Sequence, residues 1–130
     1  MSGLAYVDTS VPLAFLFQEP GAQEMHARVR VFTRLFSSNL LEAELRAACV
    51  REGVPMAKVA ASLAAIEWVF PNRSLQPELE RALSTGSLRG ADLWHVGCAL
   101  FLDRLLAPMT FVTLDRRQRE VAEAAGLSVV

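Results

Sequence analysis

A three-layer α/β/α domain with a mostly parallel sheet is the fold class this sequence predicts, on three observations. Leu4-Ala5-Tyr6-Val7 and Phe111-Val112-Thr113-Leu114 are short apolar runs of the kind that parallel sheets bury on both faces. Each runs into an acid, Asp8 or Asp115, and then into a helix-opening stretch. Between them, strand-like and helix-like segments alternate along the chain, as they do when crossover helices join parallel strands. The 130 residues read as one domain, 1–130, large enough for a core without staples.

Taken in order, Leu4–Val7 is the first strand, and Asp8 stands at its carboxyl end, where open α/β sheets place their ligands. Thr9-Ser10 opens a short apolar helix to Phe17, with Pro12 tolerated in a first turn whose N–H groups are spare. Glu19-Pro20-Gly21 stops it. Ala22 to Val31 is a second helix carrying Met25, Val29 and Phe32 on one side. Arg34 to Ser37 is a short strand, after which Asn39 caps a long helix to Arg51, ended by Gly53. An Ala-rich helix spans Pro55 to Ile66, Trp68-Val69-Phe70 is a third strand, and Pro77 to Ser84 is a further helix. Gly90 to Leu106 is apolar on nearly every side, as a helix covered by both sheet and neighbours would be. Thr110–Leu114 is a strand, Asp115–Ala125 a helix and Ser128–Val130 the last strand.

Bulk composition narrows the function classes. A net charge of −1 gives no global field for nucleic acid, so any such binding needs a local patch. Arginine supplies twelve of the thirteen basic residues, a bias that suits bidentate phosphate contacts and equally a GC-rich genome. The apolar share is about 57% with the seven glycines counted in and the one tyrosine left out, against an ordinary ~45–50%. Val11, Leu13, Phe15, Leu16, Phe17 and the alanines from Ala57 to Ala65 carry much of that excess, which predicts a surface buried by a partner. Cys49 and Cys98, lacking any CxxC spacing, read as buried free thiols of a reducing cytoplasm. No apolar run reaches the ~18 residues of a membrane span.

The acids sort by geometry. Glu42 and Glu44 lie about 200° apart around a helix and cannot share a site. Asn39-Leu40-Leu41-Glu42 has capping-box spacing, which gives Glu42 a structural task at the solvent side. Glu44 instead falls in the stripe of Leu40, Leu41, Leu45 and Ala48, where a carboxylate is costly unless paired or put to use. Asp92 opens the buried helix, where the dipole alone would favour it. Asp103 follows about 16 Å further along that helix, too far to join Asp92, and reads as a solvated acid or a partner of Arg104 or Arg34. Asp115 fits a capping box with Gln118, yet Arg116, Arg117 and Arg119 crowd the same helix start, where positive charge is unfavourable unless it faces phosphate. Thr113 points toward the same end. His95, three residues after Asp92, fits either a packing role or one supporting that acid.

Asp8 with Thr9-Ser10, Glu44 with Leu45-Arg46, Asp92 with His95, and Thr113-Leu114-Asp115 together resemble, in order and spacing, a PIN-domain ribonuclease. From Tyr6 to Val130 the chain looks like a VapC-type toxin of a type II toxin–antitoxin system. That resemblance implies an Mg²⁺- or Mn²⁺-dependent endoribonuclease, a homodimer, and inhibition by a VapB-type antitoxin laid across the active-site groove. It implies Asp8, Glu44, Asp92 and Asp115 as catalytic and metal-holding acids, with Ser10 and Thr113 in support. Arg89, Arg116 and Arg117 become candidates for RNA phosphate. The expected setting is cytoplasmic, with no membrane contact. Physical chemistry agrees, since four clustered carboxylates either protonate or hold a hard divalent cation. The alternatives are a PIN fold retained as a non-catalytic binding module, or a phosphoacceptor receiver domain. The second lacks its late lysine, because the one lysine here, Lys58, lies mid-helix.

Overall fold

The computed structural model describes residues 3–130. Its elements in chain order are β1 (Leu4–Val7), α1 (Ser10–Leu16), α2 (Ala22–Val29), β2 (Arg34–Ser38), α3 (Leu40–Glu52) and α4 (Met56–Leu63). There follow β3 (Ile66–Val69), α5 (Gln76–Leu83), α6 (Gly90–Leu105), β4 (Met109–Val112), α7 (Arg116–Ala124) and β5 (Ser128–Val129). All strand pairs are parallel and the sheet order is β3-β2-β1-β4-β5. The predicted α/β/α class is therefore the observed one.

Alternation along the strands builds two cores, one on each face. Tyr6 of β1, Phe36 of β2, and Met109 and Phe111 of β4 pack with α5, α6 and α7. Ala5 and Val7, with Val112, pack against α1 to α4 through Val11, Met25, Leu41, Leu45 and Val59. A strand's two-residue period thus assigns each side chain to one layer or the other. The excess of apolar residues on α1 is taken up here: Leu13, Phe15, Leu16 and Phe17 pack partly buried against the second core. The alanines Ala57, Ala60, Ala61, Ala64 and Ala65 of the α4 region stay exposed.

Several boundaries move for identifiable reasons. The helix expected to reach Ile66 stops at Leu63, because Ile66 pairs with Leu35 and starts β3. The strand expected over Trp68–Phe70 accordingly lies at Ile66–Val69, with Phe70 exposed beyond it. β4 begins at Met109, whose N–H is met by the Asp103 carboxylate at 2.7 Å. Asp103 is therefore a backbone cap rather than a solvated acid or an arginine's partner. The capping box at Asn39 does not form: Asn39 makes no side-chain cap, Ser38 Oγ accepts the Leu40 N–H at 3.2 Å, and Glu42 pairs with Arg46 instead. Gly53 does end α3 in a left-handed conformation, φ 71°. Cys49 and Cys98 are buried and free.

Chain connections position the rest. β1, β2 and β3 run outward in one direction, and the chain then returns to add β4 on the other side of β1. The sheet's direction of growth reverses between β1 and β4, and ligands of open α/β sheets bind outside the carboxyl ends of such strands. Asp8 follows β1 there, with its N–H bonded to the Val112 carbonyl at 3.3 Å.

Candidate active site at the sheet switch point

Asp8 is 4% exposed. Its Oδ1 accepts from Ser10 Oγ at 2.6 Å, and that same oxygen of Ser10 accepts the Leu114 N–H at 3.0 Å. Ser10 therefore latches the end of β1 to the end of β4. Burial pushes the Asp8 carboxyl up to about 6, against the opposing help of Ser10, His95 and Thr113.

Thr113 is wholly buried just past β4 and is saturated with partners. It donates to Gln118 Oε1 at 2.8 Å and accepts the Asp115 N–H at 3.0 Å. Gln118 is equally buried and ties three elements together. Its amide donates to the Asp92 carbonyl at 3.1 Å, and its backbone N–H bonds Asp115 Oδ1 at 2.8 Å. Half of the expected capping box at α7 thus exists. The glutamine's side chain, instead of reaching back to Asp115, joins α7 to β4 and α6.

Glu44, on the third helix and about one-third exposed, is met by Thr9 Oγ1 at 2.6 Å and His95 Nε2 at 3.1 Å, both at Oε1. The His95 hydrogen bond chiefly, with that of Thr9, holds its carboxyl below the usual range. His95 in turn contacts Tyr6 Oη through Nδ1 at 2.7 Å. It is thus a linking side chain in a buried polar network, not a packing histidine alone.

Asp92 opens α6, as expected, and no side chain donates to it among the described residues. Burial and then the charges of Asp115 and Glu44 raise its pKa, so the three acids sense one another. Asp92 and Asp115 line a cleft of about 400 Å³ with Ser87, Leu88, Arg89 and Arg117. Arg117 is aimed by hydrogen bonds to Ser87, 2.9 Å to its carbonyl and 3.3 Å to its hydroxyl. Arg116 does not line this cleft; it is largely exposed and pairs with Glu120 one turn on. Arg119 donates to the Thr113 carbonyl at 2.9 Å and so braces the end of β4.

The structure therefore brings Asp92, Asp115 and Glu44 into one negative region, with Asp8 buried at the end of the central strand. Among the described residues, no three acids, histidines or cysteines stand close enough together to cage an ion as they are. Their chemistry nonetheless fits a hard divalent cation: oxygen donors in surplus negative charge, with no arginine paired to any of them among the described residues. Two contributors were not singled out from the sequence. Tyr6 counted there only as one of four apolar residues of the first strand, and Gln118 only as a capping residue.

Comparison with known families adds one finding. The model of the family described as PIN domain matches residues 5–124 of the chain. No curated protein matches it.

Proposed function

The chain belongs to the PIN domain family, whose members are typically nucleases that use divalent metal ions, and we propose that it is a Mg²⁺- or Mn²⁺-dependent endoribonuclease. The observation that carries this is the cleft itself. Acids without cationic partners stand there beside Arg89 and Arg117, one of them aimed by a neighbouring loop. Uncompensated carboxylates next to arginines is an arrangement with little stability value and clear use against a phosphodiester.

Asp8, Glu44, Asp92 and Asp115 would hold the metal, which when bound supplies an activated water and neutralises charge on the phosphate. Ser10 and Thr113 orient the Asp8 carboxylate and the β4 end that carries Asp115. Arg89 and Arg117 bind the RNA phosphates flanking the scissile bond, where the guanidinium fork suits two phosphate oxygens at once. Arg116 adds positive field outside the cleft.

The same reading extends to biology: the chain acts as a VapC-type toxin, dimerises, and is silenced by a VapB-type antitoxin. Support comes from the four motifs in order and from apolar side chains left exposed, Val50 and Met56 near the exposed alanines of α4. A protein that stays monomeric at micromolar concentration would overturn the dimer part.

Cleavage of a mixed RNA pool by purified protein and by Asp8→Asn, with Mg²⁺, Mn²⁺ or chelator, tests the whole. Metal-dependent cutting, lost in the variant, is the expected result. Inactive wild-type protein that is free of any copurified inhibitor would favour the binding-module alternative.

A further inference from the structure

A chain of polar contacts runs from the middle of the sheet to Glu44, and the carboxylate at its end sets its sense. The Ser38 N–H donates to Tyr6 Oη at 3.0 Å. Glu44 Oε1 can only accept, so its contact with Nε2 places the ring proton of a neutral His95 there, and the Tyr6 phenol then donates to Nδ1 at 2.7 Å. Nε2 lies 3.1 Å from Glu44 Oε1 and 3.3 Å from Thr9 Oγ1. Thr9 spends its own proton on Glu44 Oε1, so its oxygen is available as an acceptor.

We propose that Tyr6 and His95 are positioning residues for Glu44: Tyr6 donates to Nδ1 and so holds His95 as the Nε2–H tautomer, and that proton, with the Thr9 hydroxyl, anchors Oε1 and leaves Oε2 without a donor among the described residues. This rests on Glu44 being a metal-holding acid, the reading given above. Tyr6 and His95 are 0% and 1% exposed, so water cannot replace either contact. Tyr6 is also fixed from the other side by stacking on Phe111, ring centroids 5.6 Å apart. The physical task is clear from the helices involved. Glu44 belongs to α3 on one side of the sheet, and Asp92 and His95 to α6 on the other. The two acids repel, and the imidazole ties α3 to α6 against that repulsion.

Nitrogen NMR of labelled histidines in the metal-free protein, at a pH where the ring is neutral, reads the tautomer without reference to catalysis. A single Nε2–H tautomer for His95 is expected, with Nδ1 shifted by a hydrogen bond that Tyr6→Phe abolishes. Tyr6→Phe should weaken Mn²⁺ binding, read by electron paramagnetic resonance, by about 10- to 100-fold, and lower kcat rather than raise KM. His95→Gln, which keeps a donor near the Nε2 position, should retain far more Mn²⁺ affinity than His95→Leu. An Nδ1–H tautomer in the wild-type protein, or equal Mn²⁺ affinities for the Gln and Leu variants, would overturn the proposal. A protein with the expected tautomer and Mn²⁺ responses that cuts no RNA would refute the nuclease and leave this assignment standing.

Discussion

The two ends of α6 treat their acids in opposite ways. Near its C-terminus Arg73 forks onto the buried Glu78 carboxylate and lies over the Phe101 ring. That pairing holds the Glu78 carboxyl below its usual range. Near its N-terminus Asp92 faces Asp115 and Glu44, and both Asp92 and the neighbouring Asp8 are pushed up instead. Arginines are at hand in both places, but of Arg73, Arg89 and Arg117 only Arg73 is bonded to an acid among the described residues. Glu42, Glu67 and Glu120 likewise have arginines. The fold can neutralise a carboxylate with an arginine, as at these four glutamates, or satisfy it with a backbone N–H, as at Asp103. Among the described residues, Asp92 and Asp115 have neither kind of partner at their side chains beyond the Gln118 N–H on Asp115, which fits the proposed binding role, since functional sites commonly give up stability in this way.

The sharpest break of this comparison is Asp8→Asn. Cleavage should fall on the order of 10³-fold or more, while the metal-free protein should become more stable. The sign follows from linkage. A carboxyl raised from 3.8 to about 6 binds its proton more tightly when folded, so its ionisation costs the native state. That cost is absent below the unfolded value, grows as pH rises from about 4 to 6, and reaches about 3 kcal/mol above it. Melting curves of the two proteins should therefore separate at neutral pH and converge toward pH 4. Equal stability at pH 7.5 would contradict the burial argument.

Gln118→Leu comes next. It strands the Thr113 hydroxyl and the Asp92 carbonyl, and should cost about 2 kcal/mol in a denaturant titration and about 10-fold or more in cleavage. Arg73→Met attacks the opposite end. Leaving Glu78 unpaired should lower the denaturation midpoint at neutral pH, with the loss shrinking as acid protonates Glu78, while kcat/KM stays at the wild-type value. A fall in activity there would mean that the two ends are coupled. Smallest are the arginines. Arg117→Ala should weaken RNA binding several-fold and reduce the salt slope by about 0.7. Arg116→Ala, off the cleft, should change stability by less than about 0.5 kcal/mol and binding less than its neighbour does.

Period and punctuation carried most of the fold. Apolar runs ending in acids located β1 and β4, and Gly53 ended the third helix. The same logic failed at Ile66, where β-pairing with Leu35 overrode a helical Ala-rich context, and at Asn39, where Ser38 took the capping bond. Of the site, the sequence marked the acids and Thr113, since each sits at a strand end or on a helix stripe. It did not mark Gln118 or Tyr6 as parts of the network. Neither residue type nor spacing distinguishes a glutamine that caps its own helix from one that bonds two others.

What the sequence determined by itself is thus local: which segments are strands and helices, which face of each is apolar, and which acids fall at the carboxyl ends of strands or the start of a helix. These follow from periods of 2 and 3.6 residues and from the chemistry of helix ends. What only the tertiary structure decided is which polar groups meet: Ser10 with Leu114, Gln118 with Asp92, Tyr6 and His95 with Glu44. Those partners are 26 to 104 residues apart in the chain. Their meeting depends on strand order and helix packing, which side-chain chemistry then exploits at distances no spacing rule encodes.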